Sequence, residues 1–367
     1  MKNIVLAVGG TGGHIYPAIA LAHSFNALSP DCGVHIFGAA GGAEERIARR
    51  EGIAFRPVRA VRLPGKKVSA GALRLPLTLA GAVSGARAQL RAAGATHVIG
   101  FGGYVSFPTV MAARLLGLPV YLQEQNTAMG KSNRLMSRLA RRVFISFENT
   151  EGAPAGKCVL TGNPSRFEDT EIPSKSQARE QLGLDPERAT LFIFGGSQGA
   201  VAINEAAVRF AQRHRERADW QALHLAGPGN DEDLRKQYES ALGSGAGYRV
   251  KVEAYLHEMH LAYAAADLAV CRAGATTIAE LMCQGVPSVL VPYPYAAENH
   301  QEKNARYLCA RNAAEMILNR ELDRLDGVAA PLLEDKQKLD AMSRAARALY
   351  RRGAARLIVQ TVCGDQG

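Results

Sequence analysis

One device occurs twice in this chain. Ile4 to Val8 is a short apolar run ending in Gly9-Gly10-Thr11-Gly12-Gly13-His14, and Thr190 to Phe194 is another, ending in Gly195-Gly196-Ser197-Gln198-Gly199-Ala200. Helix-like sequence follows each; the first, Tyr16 to Leu28, carries Pro17 near its first turn, where a missing N–H is harmless. A buried strand feeding a helix through glycines is the building unit of a doubly wound parallel sheet, whose ligands gather beyond the carboxyl ends of the strands. Its repetition predicts an α/β chain of two similar Rossmann-like domains facing a cleft, and domain interfaces are favoured ligand sites. A length of 367 residues is long for one core and comfortable for two.

The rest of the chain keeps the alternation. Strands are predicted at Val34 to Phe37, Thr96 to Phe101, Pro119 to Leu122, Val143 to Ser146 and Lys157 to Thr161, with helices at Thr109 to Leu116 and Lys131 to Arg142. Glu168 to Pro186, with its serines, lysines and prolines, has the composition of a linker plus a short helix. Gln221 to Ala226, Tyr248 to Val252 and Ala313 to Ile317 continue a second sheet, and Lys336 to Arg352 reads as a charged helix. Neither glycine loop spells G-x-G-x-x-G or carries the Lys-Ser/Thr of a P-loop, so NAD and ATP are poor guesses.

Cys271 to Asn304 says most about chemistry. Asp267 to Cys271 reads as a buried strand, Gly274 as a turn, and Ala275 to Gln284 as a helix stopped by Gly285 and Pro287. The N–H groups and positive dipole end of such a helix suit phosphate, and Thr276 and Thr277 add hydroxyl donors. Glu280, on the same face as Thr276, has a carboxylate able to accept two hydrogen bonds from a ribose diol. Phosphate donors and a diol acceptor on one helix spell a nucleotide. In the next turn Glu298, Asn299, His300 and Gln301 form a polar cluster that suits a sugar.

No metal is expected. His257 and His260 are spaced by three where a zinc helix needs four, and Asp231-Glu-Asp233 reads as the solvated start of a helix. A departing diphosphate must then be stabilised by backbone donors and a cation, for which Arg166, after the Gly162-Asn163-Pro164 turn, is the natural candidate.

The blocks GGTGGH, GFGGYVSFP, QEQN, TGNPSR, GGSQGA and CRAGATTIAE, spread over nearly the whole chain, resemble those of the nucleotide-sugar glycosyltransferases of GT-B architecture. The resemblance implies an inverting, metal-independent hexosyltransferase that needs no cofactor. It would move N-acetylglucosamine from UDP-GlcNAc to the C4 hydroxyl of undecaprenyl-diphospho-MurNAc-pentapeptide, lipid I to lipid II, in peptidoglycan synthesis. It assigns 1–163 to an acceptor and membrane-associating domain, 164–340 to a UDP-GlcNAc-binding domain and 341–367 to a helix packing back on the first. By the same resemblance Thr11, Gly12 and Gly13 lie near the donor diphosphate, Asn126 contacts a sugar hydroxyl, and Arg166 and Ser197 touch the nucleotide. Leu256 holds the uracil edge through its backbone, and Ala275, Thr276, Thr277, Ile278, Ala279 and Glu280 form the main nucleotide segment. Where some members carry paired glutamines this chain has His300-Gln301, so either can contact the sugar.

Displacement at an anomeric carbon by a hydroxyl needs a base. His14 is the first candidate, because the helix dipole at its position disfavours the protonated form, and Glu124 is the second. Three alternatives stay open: a UDP-sugar transferase acting on diacylglycerol, a UDP-GlcNAc 2-epimerase, and a silent UDP-sugar-binding partner.

The formal charge of +10 is unevenly placed. Between Glu51 and Glu124 no acidic residue occurs, while Arg56, Arg59, Arg62, Lys66, Lys67, Arg74, Arg87, Arg91 and Arg114 do, around the apolar run Leu73 to Val83. Basic side chains beside an apolar helix are drawn to an anionic bilayer, at about 1 kcal/mol per charge near the surface. Nucleic acid is set aside for want of aromatic interleaving or a binding signature. Six scattered cysteines without C-x-x-C favour a reducing compartment, and no apolar run approaches the roughly 18 to 20 residues of a spanning helix. The expected location is peripheral, on the cytoplasmic face of a bacterial inner membrane.

Overall fold

The computed structural model describes residues 2–10, 12–61 and 71–365. Its contacts divide the chain into two compact units, Met1–Arg166 with Arg351–Gly367, and Phe167–Tyr350.

Unit 1 alternates β1 (Asn3–Ala7), α1 (Gly12–Leu28), β2 (Gly33–Gly38), α2 (Ala43–Arg50), β3 (Ala54–Pro57), α3 (Gly71–Ala92), β4 (His97–Gly100), α4 (Gly103–Leu115), β5 (Val120–Glu124), α5 (Lys131–Met136), β6 (Arg142–Ile145) and β7 (Cys158–Leu160). The strands form a parallel sheet in the order β3-β2-β1-β4-β5-β6-β7. Unit 2 runs α6 (Lys175–Gln181), β8 (Ala189–Phe194), α7 (Val201–Arg213), β9 (Trp220–Leu225), α8 (Asp231–Leu242), β10 (Arg249–Glu253), α9 (Met259–Ala265), β11 (Leu268–Cys271), α10 (Ala275–Gln284), β12 (Ser288–Leu290), α11 (His300–Cys309), β13 (Ala314–Met316), α12 (Leu325–Glu334) and α13 (Lys336–Leu349). Its parallel sheet has the order β10-β9-β8-β11-β12-β13. Both units are doubly wound, with the strand order reversing direction between β1 and β4 in one and between β8 and β11 in the other.

The cores follow from the apolar runs. Ile4, Leu6 and Ile99 pack with Ile15, Ala18 and Phe25 of α1 on one face of the first sheet, while Val5, Val98 and Val120 pack with Val105, Val110 and Leu90 on the other. In unit 2 Leu191, Ile193, Ala222, Val270 and Val289 meet Ile203, Phe210, Leu234 and Leu332.

Four elements differ from the sequence reading. Helix α4 starts at Gly103 and runs through Pro108; the Tyr104 carbonyl that Pro108 cannot reach accepts instead from the Val61 amide at 3.3 Å. Helix α5 stops at Met136, because the Arg141 amide bonds Val120 and Lys157 Nζ donates to the carbonyls of Ser137, Arg138 and Ala140. The helix beginning at Lys336 belongs to unit 2, where Leu339 and Met342 join the core. The segment that returns to unit 1 is a further helix, α14 (Ala354–Gly364), which packs on α1 through Ala355, Ile358, Val359 and Val362. The boundaries therefore fall after Arg166 and Tyr350, where 163 and 340 were expected. Asp231 and Asp233 open α8, as its sequence suggests.

Among the described residues no helix is long and apolar enough to cross a membrane. Helix α3 packs Ala82, Ala86 and Leu90 inward and leaves Leu77, Arg87 and Arg91 exposed. Arg62, Lys66 and Lys67 lie outside the described residues.

Candidate functional site

In unit 2 the switch point brings two loops side by side. β8 enters α7 through Gly195 to Ala200, a turn that only glycine can make at two positions. A Cβ on Gly195 would stand 2.2 Å from the Ala200 nitrogen, and at Gly199 φ is +74° with a Cβ 2.3 Å from the Ala226 carbonyl. Ser197 is exposed at the tip of this loop. Next to it β11 enters α10 through Gly274, whose extended backbone (φ −66°, ψ 146°) caps the helix without any side-chain hydrogen bond. The amides of Ala275, Thr276 and Thr277 form the positive end of α10, of the kind that binds phosphate. Thr276 and Thr277 are half-buried; Ile278 and Ala279 are core residues.

Glu280 is 5 % exposed, and its Oε2 accepts a 2.8 Å hydrogen bond from the Tyr263 hydroxyl. Leu256 lies half-buried in the loop from β10 to α9. His300 and Gln301 begin α11, beyond β12, so they too lie at the carboxyl end of the sheet. His300 Nδ1 donates to the Ala297 carbonyl at 2.7 Å, and Gln301 Oε1 accepts from the Tyr293 amide at 2.9 Å. Between them and β12 the backbone is strained: Glu298 and Asn299 both have φ of +53°. Arg272 braces this loop from β11 by donating to the carbonyls of Val291 and Pro292 and to Asn319 Oδ1, and burial pushes its guanidinium pKa down. Burial likewise raises the neighbouring Cys271 thiol, which leaves it an inert core group.

In unit 1 the loops after β1 and β4 meet at the other switch point. His14 Nδ1 donates to the Gly9 carbonyl at 2.9 Å, and that carbonyl would lie 2.7 Å from a Cβ on Gly103, where φ is +80°. With the proton fixed on Nδ1, Nε2 is the basic nitrogen of a neutral ring. Gly12 and Gly13 open α1 beside it; Thr11 lies outside the described residues. Arg166 stacks over the Tyr16 ring of the same helix, 4.1 Å from its centroid.

Glu124, at the end of β5, is 1 % exposed. Its carboxylate accepts from the Asn126 amide and side chain at 3.1 Å each, from the Gly130 amide at 3.1 Å and from Asn133 Nδ2 at 2.9 Å. That environment organises the loop carrying Asn126 and suits an anchor better than a base.

His257 is exposed and packs edge-on to Tyr255, while His260 lies near Phe167; no group of side chains able to hold a metal occurs among the described residues. Three residues join the site that sequence reasoning did not single out: Tyr263, Arg272 and Asn133. Each acts through a contact between elements that no spacing encodes.

Two units, each a doubly wound parallel sheet, are the architecture of the GT-B nucleotide-sugar glycosyltransferases. Residues 4–145 match the glycosyltransferase family 28 N-terminal domain and residues 190–359 its C-terminal domain. The chain is 40 % identical over 98 % of its length to a protein of Nitratidesulfovibrio vulgaris (strain DP4), of which 96 % is covered. That relative is named UDP-N-acetylglucosamine--N-acetylmuramyl-(pentapeptide) pyrophosphoryl-undecaprenol N-acetylglucosamine transferase. Among solved structures it is similar to Acinetobacter baumannii MurG, with a TM-score of 0.79 and 29 % identity over all of both chains. It shares the fold of Neisseria meningitidis UDP-GlcNAc 2-epimerase bound to UDP-GlcNAc, at TM-score 0.69 and 14 % identity. The chain belongs to glycosyltransferase family 28.

Proposed function

We propose that this enzyme transfers N-acetylglucosamine from UDP-GlcNAc to the muramoyl C4 hydroxyl of undecaprenyl-diphospho-MurNAc-pentapeptide, converting lipid I to lipid II in peptidoglycan synthesis. The observation that carries the reading is 40 % identity, end to end, with a transferase named for that donor and acceptor. The site's chemistry supports it. In this reading the amides of Ala275, Thr276 and Thr277 and the loop of Ser197 receive the diphosphate, Glu280 the ribose and the Leu256 backbone the uracil. His300 or Gln301, together with Asn126, meets the sugars, and Arg166 with the Gly12-Gly13 turn offsets charge on the leaving diphosphate. The acceptor oxygen forms its bond to the anomeric carbon as the bond to UDP breaks, inverting that centre, and its proton passes to His14 Nε2. No step calls for a metal or cofactor.

Exposed Leu77, Arg87 and Arg91 on α3, with exposed Leu115 and Arg114 at the end of α4, support a peripheral association with an anionic cytoplasmic membrane face. Radiolabelled UDP-GlcNAc incubated with a short-chain lipid I analogue in EDTA tests the activity. Labelled lipid II is expected. Transfer to diacylglycerol instead, or release of N-acetylmannosamine without an acceptor, would replace the proposal by one of its rivals.

A further inference from the structure

Tyr263 is 1 % exposed, and its ring cannot turn freely. It stands edge-on to Phe192 at 5.6 Å, Phe194 at 5.9 Å and Phe167 at 6.0 Å. Those contacts fix the direction of its hydroxyl, which donates to Glu280 Oε2 at 2.8 Å. The two side chains come from different helices, α9 and α10. A glutamate has three rotatable side-chain bonds, and holding it in one geometry costs rotamer entropy. Where the folded protein already holds the carboxylate, a nucleotide does not meet that cost on binding. A carboxylate oxygen has two lone pairs, so Oε2 can accept from the phenol and from a ribose hydroxyl together.

We propose that Tyr263 is a positioning residue that sets the Glu280 carboxylate in the orientation needed to accept the ribose hydroxyls of the donor. This rests on the reading of Glu280 as the ribose acceptor. The phenol adds a consequence for selectivity: a carboxylate held in place distinguishes a ribose from a deoxyribose, because the missing hydroxyl leaves a fixed acceptor unpaired.

Tyr263→Phe keeps the ring and removes the hydroxyl. The full-length enzyme and its variants are assayed with UDP-GlcNAc and with its 2′-deoxyribose and 3′-deoxyribose analogues, and thermal midpoints confirm that each folds. For Tyr263→Phe the KM for UDP-GlcNAc is expected to rise about tenfold with kcat within about twofold, and the preference over the better-discriminated analogue to shrink about tenfold. In a Glu280→Gln background the same substitution should change KM no further, whereas a merely structural role would shift both backgrounds equally. If Glu280→Gln erases the ribose preference and Tyr263→Phe leaves it intact, the positioning role is overturned and Glu280 keeps its part. If Glu280→Gln also leaves the preference intact, the reading of Glu280 itself falls. Should Tyr263→Phe fail to fold, Tyr263→Trp, which keeps an aromatic ring but misplaces its donor, takes its place; equal KM shifts in both backgrounds would again overturn the proposal.

Discussion

His14 and Glu124 are both candidates for the base, and the hydrogen bonds each makes favour the proposal of His14. The imidazole gives its Nδ1 proton to the Gly9 carbonyl and so presents Nε2 as its basic atom, while the carboxylate is already met by N–H groups of Asn126, Gly130 and Asn133. A carboxylate whose oxygens already accept from four fixed N–H donors is poorly placed to take a further proton. His14→Ala should therefore lower kcat by about 10²–10⁴ while leaving the donor KM nearly unchanged, as measured by steady-state transfer. Glu124→Gln should fail differently. Its amide nitrogen would face N–H donors, a mismatch costing about 1–3 kcal/mol at a buried site, so the denaturation midpoint should fall with the activity. A Glu124→Gln enzyme as stable as the wild type but inactive would return Glu124 to the role of base.

Among the elements, the glycine turn after β8 is supported from behind by a buried polar chain. Gly199 presses on the Ala226 carbonyl, which also accepts from Asn204 Nδ2 at 3.0 Å; Asn204 Oδ1 accepts from His224 Nε2 at 3.1 Å, and His224 Nδ1 accepts from the Tyr238 hydroxyl at 2.8 Å. His224 must be neutral to sit in this chain, and burial pushes its pKa down to about 3. The unfolded chain, with a histidine near 6.5, binds a proton in the window from about 6.5 to 3 that the folded chain does not. The stabilisation is therefore complete above pH 6.5 and lost as the pH falls. Between pH 7.5 and 5.5 the loss from this residue should be about 1.4 kcal/mol, and His224→Gln should flatten the dependence by that amount in urea titrations. Equal slopes for the two proteins would refute it. This network was not legible in the sequence, since Asn204, His224 and Tyr238 come from three elements. What was legible were strands buried on both faces, such as β1 and β11, whose residues are nearly all apolar. Strand β3, an edge strand with exposed Ala54 and Pro57, showed no such run, and α4 was read from Thr109 because Pro108 resembles a helix start. The glycine loops and the start of α10 were legible because their chemistry is local; the partner of Glu280 lies on another helix and was not.

At the scale of the whole molecule, the last helix of the chain completes the first unit. Ile358, Val359 and Val362 of α14 lie in one cluster with Ile15, Leu21 and Phe25 of α1, each at most 3 % exposed. Polar contacts add to this: Lys2 Nζ donates to the Cys363 carbonyl at 2.6 Å, and the Tyr121 hydroxyl donates to Asp365 at 2.6 Å. Burying a branched side chain of this size stabilises a fold by about 1.5–3 kcal/mol, so three of them rival the whole margin of a typical domain, about 5–15 kcal/mol. Among the described residues, the buried residues of unit 2 end with Met342 and Ala346 of α13, ahead of Tyr350. A chain ending at Tyr350 should thus lose the cooperative transition of unit 1 and expose it to trypsin, while a fragment starting near Phe167 resists digestion. If the shortened chain melts like the full one, or if both units become sensitive together, α14 is not what closes the first core. Protection of that fragment by added UDP would separate nucleotide retention by unit 2 from loss of transfer, because the base proposed for the reaction, His14, belongs to the unit that the truncation opens.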